Sequence, residues 1–127
     1  MISISSEEEL KKLPRPIRKG AKRAPKIIHF GPGAFFRSFV ASLIDKVNQY
    51  DIEKWGIVAV SLNSESTFDK LEGQDFVFNA LSISSDKNQI QQVSSISNIF
   101  VAKKDRQSVL AALSDEKMKI VSLTITE

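Results

Sequence analysis

Apolar residues in this chain fall into two alternating kinds of grouping. Three short, nearly unbroken runs stand out: Lys26-Ile27-Ile28-His29-Phe30, Gly56-Ile57-Val58-Ala59-Val60-Ser61-Leu62 and Ile120-Val121-Ser122-Leu123-Thr124-Ile125-Thr126. Runs of this length without polar alternation predict strands covered on both faces of a parallel sheet. Between them the spacing becomes helical. From Ala34 onward Phe36, Phe39, Val40, Leu43, Ile44 and Val47 recur at three- and four-residue steps, predicting one apolar helix face to about Gln49. Ser64 is placed to cap a short helix carrying Phe68 and Leu71, and Asp105 one carrying Val109, Leu110 and Leu113. Residues 76–83 and 90–96 read as two strands around the polar turn Ser84-Ser85-Asp86-Lys87-Asn88. Near the start, Ser6-Glu7-Glu8-Glu9 reads as a helix cap, with the helix stopped by Pro14.

Strand, helix, strand, hairpin, helix, strand is an α/β order. Right-handed crossovers would set the three apolar strands side by side, with the hairpin as an insertion. The last strand has no helix after it, so the sheet reads as truncated. Ligands of such sheets bind outside the carboxyl ends of the strands. Here those ends are residues 31–34, 61–66 and 124–127.

The first of these ends carries the clearest chemistry. In Phe30-Gly31-Pro32-Gly33-Ala34-Phe35-Phe36-Arg37 an apolar strand meets two glycines one residue apart and then a helix. The leading N–H groups of a helix lack intrahelical acceptors and its dipole is positive there, which suits a dinucleotide pyrophosphate. Gly31 would permit the tight turn, and Gly33 would let the backbone approach the phosphates. The third glycine of the usual fingerprint is replaced by Phe36. The layout is that of a Rossmann-like sheet with an inserted β-hairpin.

Composition adds limits. The 127 residues suffice for one domain, and no apolar run approaches the ~20 residues of a membrane span. The chain has no cysteine, hence no thiolate nucleophile and no cysteine-based zinc site, and one histidine is too few for a histidine-rich metal centre. No metal site is expected, and a cytoplasmic location is the simplest reading. The net charge of +3 is uneven: residues 11–26 hold eight basic side chains and no acidic one. Lacking interleaved aromatics and broken by Pro14, Pro16 and Pro25, this stretch reads as a partly docked extension, residues 1–26, with no nucleic-acid partner. Residues 27–127 form the domain proper. His29 titrates near neutrality, but its place inside an apolar strand reads as a hydrogen-bonded core histidine. Asp75 reads equally as a turn or cap residue or as a site residue.

The block from His29 to Arg37 resembles the N-terminal signature of the long-chain polyol dehydrogenases, the mannitol 2-dehydrogenase and fructuronate reductase family. Three further blocks resemble that family in order: Trp55 to Leu62 its second strand, Leu71-Glu72-Gly73-Gln74-Asp75-Phe76-Val77-Phe78 its Gln-Asp segment, and Ile120 to Glu127 the strand before its Lys/Gly-Gly-Tyr continuation. Many members have His at the position of Phe36 and Ala-His at Ser38-Phe39, so the helix face here is more apolar.

The resemblance implies the cofactor-binding part of an NAD-dependent oxidoreductase that interconverts a polyol or aldonate with a ketose or hexuronate. It also implies a longer protein, whose catalytic lysine and sugar pocket lie in a C-terminal domain. No catalytic residue is therefore expected in residues 1–127, and the segment alone should be inactive. The expected cofactor-binding residues are Gly31, Pro32, Gly33, Ala34, Phe35 and Arg37 at the first turn, Asn63, Glu65 and Ser66 at the second, and Thr124, Thr126 and Glu127 at the third. Arg37 reads equally as a charge near the cofactor or a surface ion pair. Glu65 supplies a carboxylate for the ribose diol, or simply a first-turn acid for its helix. Ser66 stands where NAD-preferring members carry a second acid, and no arginine or lysine in this segment attracts a 2′-phosphate. NAD is the expected cofactor, with NADP left open. The other open reading is a stand-alone, non-catalytic nucleotide-binding module with a basic arm. No membrane partner is expected, and substrate identity and oligomeric state are not legible.

Overall fold

The computed structural model describes residues 2–125, so Thr126 and Glu127 lie outside the described residues. Four parallel strands make the central sheet, in the order β6-β3-β2-β7. They are β2 (Pro25–Phe30), β3 (Gly56–Ser61), β6 (Ile96–Val101) and β7 (Ile120–Leu123). A second, antiparallel sheet, β1-β5-β4, joins β1 (Ile2–Ile4) to the hairpin of β4 (Phe78–Ile83) and β5 (Asn88–Val93). The helices are α1 (Glu7–Lys11), α2 (Ser42–Tyr50), α3 (Ser66–Leu71) and α4 (Arg106–Ser114).

Alternation along the parallel strands divides the core in two. Ile27, Ile57, Ala59, Ile96 and Ile99 face one side and pack with Phe36, Leu71, Phe76 and Val93. Ile28, Val58 and Val60 face the other side and meet Val109 of α4. Every residue of β3 is buried, as its unbroken apolar run requires. Edge strand β7 is less covered, with Ile120, Val121 and Leu123 all exposed.

The central sheet has four strands where the apolar runs predict three, because the run read as residues 90–96 is two elements. Strand β5 ends at Val93, and Ser94 and Ser95 carry the chain from one sheet to the other. Ser94 N–H and Oγ donate to Asp45 at 3.0 and 3.2 Å, and Ser95 Oγ donates to the Ala41 carbonyl at 2.7 Å. These bonds satisfy backbone that leaves one ladder before joining the next. Ile96 then opens β6, beside Ile57 of β3.

The long helix also departs from its expected face. Ala34 and Phe35 are helical, Phe36–Ala41 forms a π-helical turn, and α2 follows without a break. The π turn holds more residues per revolution and so rotates everything beyond it relative to a regular α-helix. Phe36, Ala41, Ser42, Asp45 and Asn48 are buried, whereas Phe39, Leu43 and Val47 are exposed. Ser42 Oγ donates back to the Ser38 and Phe39 carbonyls, whereas the other two buried polar side chains serve neighbouring segments. Asp45 accepts from Ser94; Asn48 accepts from Trp55 N–H at 2.7 Å and donates to its carbonyl at 2.8 Å.

The basic extension is anchored by Arg18, whose side chain is only 7% exposed. Its guanidinium donates to Asp75 Oδ2 at 2.8 Å and to the carbonyls of Ser94, Asp75 and Ile96 at 3.0, 2.7 and 2.8 Å. Asp75 also pairs with Lys22 at 3.0 Å, and Lys26 pairs with Glu53. Asp75 and Phe76 lie at φ +51° and +62°, uncommon for residues other than glycine, and the Arg18 contacts hold that turn. Desolvation acts to raise the Asp75 pKa, but the hydrogen bonds and charges of Lys22 and Arg18 together outweigh it and lower the value. Among the described residues no helix is long and apolar enough to cross a membrane.

Candidate functional site

The C-terminal ends of β2, β3 and β7 converge as parallel pairing demands. Gly31 N–H donates to the Val60 carbonyl at 2.9 Å and Thr124 N–H to the Phe30 carbonyl at 3.0 Å, carrying both ladders one step past the strands. Between the three ends lies an open cleft of ≈650 Å³, lined by Phe30 and Gly31, by Ser61, Leu62, Asn63 and Ser64, and by Leu123 and Thr124. Three of the expected site residues, Gly31, Asn63 and Thr124, stand in that lining. None of the lining side chains is titratable.

The two glycines at the first turn do different jobs. Gly31 has φ +101°, and a Cβ added to it would lie 3.4 Å from Thr124 Cβ. Only glycine takes that conformation readily. Gly33 is outside the left-handed region, and a Cβ there would meet nothing within 4 Å. The protein's own packing therefore does not require a glycine at 33, but a ligand lying against the backbone would. The Arg37 N–H donates to the Gly33 carbonyl at 3.0 Å, the first helical bond, so the N–H groups of Ala34, Phe35 and Phe36 have no intrahelical acceptor. Pro32 is buried under the turn, while Gly33, Ala34 and Phe35 are exposed; the Phe35 ring packs on Phe39 at 5.6 Å between centroids.

His29 braces this turn from below. It lies beside Ser122 in the β2–β7 register, so Nδ1 sits 2.8 Å from Ser122 Oγ. Nε2 reaches the Gly31 carbonyl at 3.1 Å and Thr124 Oγ1 at 3.0 Å. A carbonyl only accepts, so Nε2 carries the proton and Nδ1 accepts from the Ser122 hydroxyl. The ring stacks on Phe36, 3.6 Å between centroids and 3° from parallel. Burial pushes the imidazole pKa below its ordinary value, outweighing the opposite pull of the Gly31 carbonyl. The ring is thus a neutral tie between the glycine turn, the end of β7 and the start of the helix.

Arg37 faces elsewhere. Its Nε donates to the Gly33 carbonyl at 3.3 Å, and the side chain lines a small pocket of ≈200 Å³ with Phe78, Asn79, Ala80 and Leu81. It makes no ion pair among the described residues, and burial lowers its pKa. Glu65 and Ser66 sit just beyond the cleft lining, at the start of α3. Glu65 occupies the N-cap position without a capping side-chain bond, and Ser64 Oγ instead accepts from Ser66 N–H at 3.3 Å.

The segment after β3 holds no arginine or lysine, yet a cationic side chain reaches Glu65 from elsewhere in the chain. Lys104 Nζ lies 2.9 Å from Glu65 Oε1, brought there by the loop after β6. That loop docks on the end of β3 through Ala102 N–H to the Ser61 carbonyl at 2.8 Å and Lys103 N–H to the Leu62 carbonyl at 3.2 Å. No residue pattern in the segment after β3 signals a partner arriving from another loop. Among the described residues no cluster of His, Cys, Asp and Glu could hold a metal ion.

Residues 25–127 match the family model described as the mannitol dehydrogenase Rossmann domain. The chain belongs to that family. It is 35% identical over 104 residues to a mannitol 2-dehydrogenase of Pyricularia oryzae, a match spanning 80% of this chain and 21% of the relative. It is 30% identical over 133 aligned residues to a polyol:NADP oxidoreductase of Gluconobacter oxydans, spanning 96% of this chain and 27% of the relative. The solved mannitol 2-dehydrogenase of Pseudomonas fluorescens, a ternary complex with NAD and D-mannitol, superposes with a TM-score of 0.75 at 28% identity, covering 96% of this chain and 26% of that one. This mannitol dehydrogenase family chain thus spans about a quarter of the length of such relatives.

Proposed function

We propose that this chain is the cofactor-binding part of an NAD(P)-dependent oxidoreductase acting on a polyol and its ketose, or on an aldonate and its hexuronate. The observation that carries the reading is the glycine turn. Gly31 is glycine because the backbone there is left-handed, while Gly33 is glycine at a place where the protein leaves open space. Together with three helix N–H groups lacking intrahelical acceptors, this forms a cradle that a pyrophosphate suits.

In this reading the backbone of Gly33, Ala34 and Phe35 holds the pyrophosphate, and Asn63 and Glu65 bind the adenosine ribose. Thr124 borders the nicotinamide half. A nicotinamide dinucleotide bound there supplies the hydride chemistry. The chain's own part is to bind and orient it. The cleft lining offers no titratable side chain and His29 is committed to three bonds, so neither supplies proton transfer to a sugar oxygen. An enzyme drawing on the soluble nicotinamide pool would work in the cytoplasm.

Calorimetric titration with NAD+ and with ADP-ribose tests the assignment. Saturable one-to-one binding of both is expected, since both carry the pyrophosphate and the adenosine ribose. Failure of both to bind at millimolar concentration would overturn it.

A further inference from the structure

We propose that Lys104 is a specificity-determining residue, a counter-charge to Glu65 that lets the same ribose site accept a 2′-phosphate as well as a 2′-hydroxyl. The inference rests on the reading of the cleft as a dinucleotide site and deepens it. A lone carboxylate after the second strand of such a sheet accepts hydrogen bonds from a ribose diol and repels a 2′-phosphate. Here the carboxylate is not alone. Lys104 Nζ is 2.9 Å from Glu65 Oε1, and both side chains line one cavity of ≈140 Å³ with Phe68, Ile99, Phe100 and Val101.

The loop that delivers Lys104 is fixed rather than loosely placed. Its backbone is pinned to the end of β3 by the Ala102 and Lys103 N–H bonds, and Lys104 N–H closes a turn onto the Val101 carbonyl at 3.0 Å. Asp105, next in the chain, spends its carboxylate on the Ser108 N–H at 3.2 Å as the cap of α4. Asp69 lines the same cavity one turn after Glu65 and adds to the negative side. The hydrogen bond and attraction of Glu65 raise the Lys104 pKa, so the amine stays charged at physiological pH. Lys104 is 65% exposed and Glu65 37%, which leaves the ammonium free to turn from the carboxylate to an arriving phosphate.

A 2′-phosphate carries close to two negative charges near neutrality. Removing or restoring one unit charge at hydrogen-bonding range on a screened surface changes the affinity of such a group by about tenfold. Calorimetry with NAD+ and NADP+ on the protein and on two variants reads this as a ratio of dissociation constants. Lys104→Met exposes the carboxylate and should raise the NADP+ to NAD+ ratio about tenfold. Glu65→Gln frees the ammonium and should move the ratio in the opposite direction. A merely structural role for the pair would weaken both cofactors together and leave the ratio in place. An unchanged ratio in Lys104→Met, with NAD+ still bound, overturns the inference and spares the cofactor-site reading. Failure of the unsubstituted protein to bind either dinucleotide overturns both.

Discussion

Gly31 and Gly33 are two residues apart, yet alanine at the two positions should have opposite effects on stability. At Gly31 an alanine must hold φ +101°, a strained conformation for an L-residue, with its Cβ 3.4 Å from Thr124 Cβ. Strain of that kind costs about 2 kcal/mol, which in urea lowers the unfolding midpoint by roughly 1 M at a typical slope for a small domain. At Gly33 the backbone is ordinary and nothing lies within 4 Å of the added carbon. Alanine there narrows the unfolded ensemble and should stabilise the fold by about 0.4–1 kcal/mol. Ligand binding should show the converse. A branched side chain at 33 would stand between the helix N–H groups and the pyrophosphate, and one lost charge-assisted hydrogen bond is worth about 3 kcal/mol, or roughly 100-fold in affinity. Urea unfolding of Gly31→Ala and Gly33→Ala, with NAD+ titration of Gly33→Val, measures all three. If Gly33→Ala destabilises as much as Gly31→Ala, or Gly33→Val keeps its NAD+ affinity, the division of labour in the turn is refuted.

Three further outcomes follow from the packing. His29 has a folded-state pKa below its unfolded value of about 6.5, so its contribution is present above that pH and is lost as pH falls through the lower folded value. Urea midpoints should drop between pH 8 and pH 5, and part of that drop should vanish in His29→Gln. Gly56→Ala would set a Cβ against the Arg23 carbonyl, 2.6 Å from Ser97 Oγ and 2.8 Å from the Ala24 carbonyl, and should cost about 3 kcal/mol by overpacking; a midpoint within error of the parent would count against the close approach of the extension to β3. Asp45→Ala strands the Ser94 N–H at the crossing between the sheets and should cost about 1–3 kcal/mol, with faster amide exchange at Ser94 as the local signature.

The parts of the fold legible in the sequence are those where one residue pattern had one structural meaning. The run Gly56 to Ser61 is apolar because both faces are covered, and Gly31 is glycine because of its own backbone. What escaped depends on contacts between distant segments. Strand β6 begins Ile96-Ser97-Asn98, and its buried Ser97 serves the extension, its Oγ donating to the Arg23 carbonyl at 2.5 Å. The apolar stripe Phe39, Leu43 and Val47 fits a regular helix and is turned outward by the π turn. Strand β1 lies within the extension and takes its place through pairing with β5, far along the chain. At the candidate site, three strand ends were identifiable from their runs, whereas Lys104 was hidden because its partner Glu65 lies in a different loop.

The central claim is that a dinucleotide lies across the ends of β2, β3 and β7, over the glycine turn. The most direct measurement is a backbone amide NMR titration with NAD+. The largest shift changes are expected in residues 31–36, 61–66 and 123–125, with the β4–β5 hairpin and α1 little affected. Changes concentrated on the hairpin or on the basic residues 11–26, with the glycine turn unmoved, would contradict it.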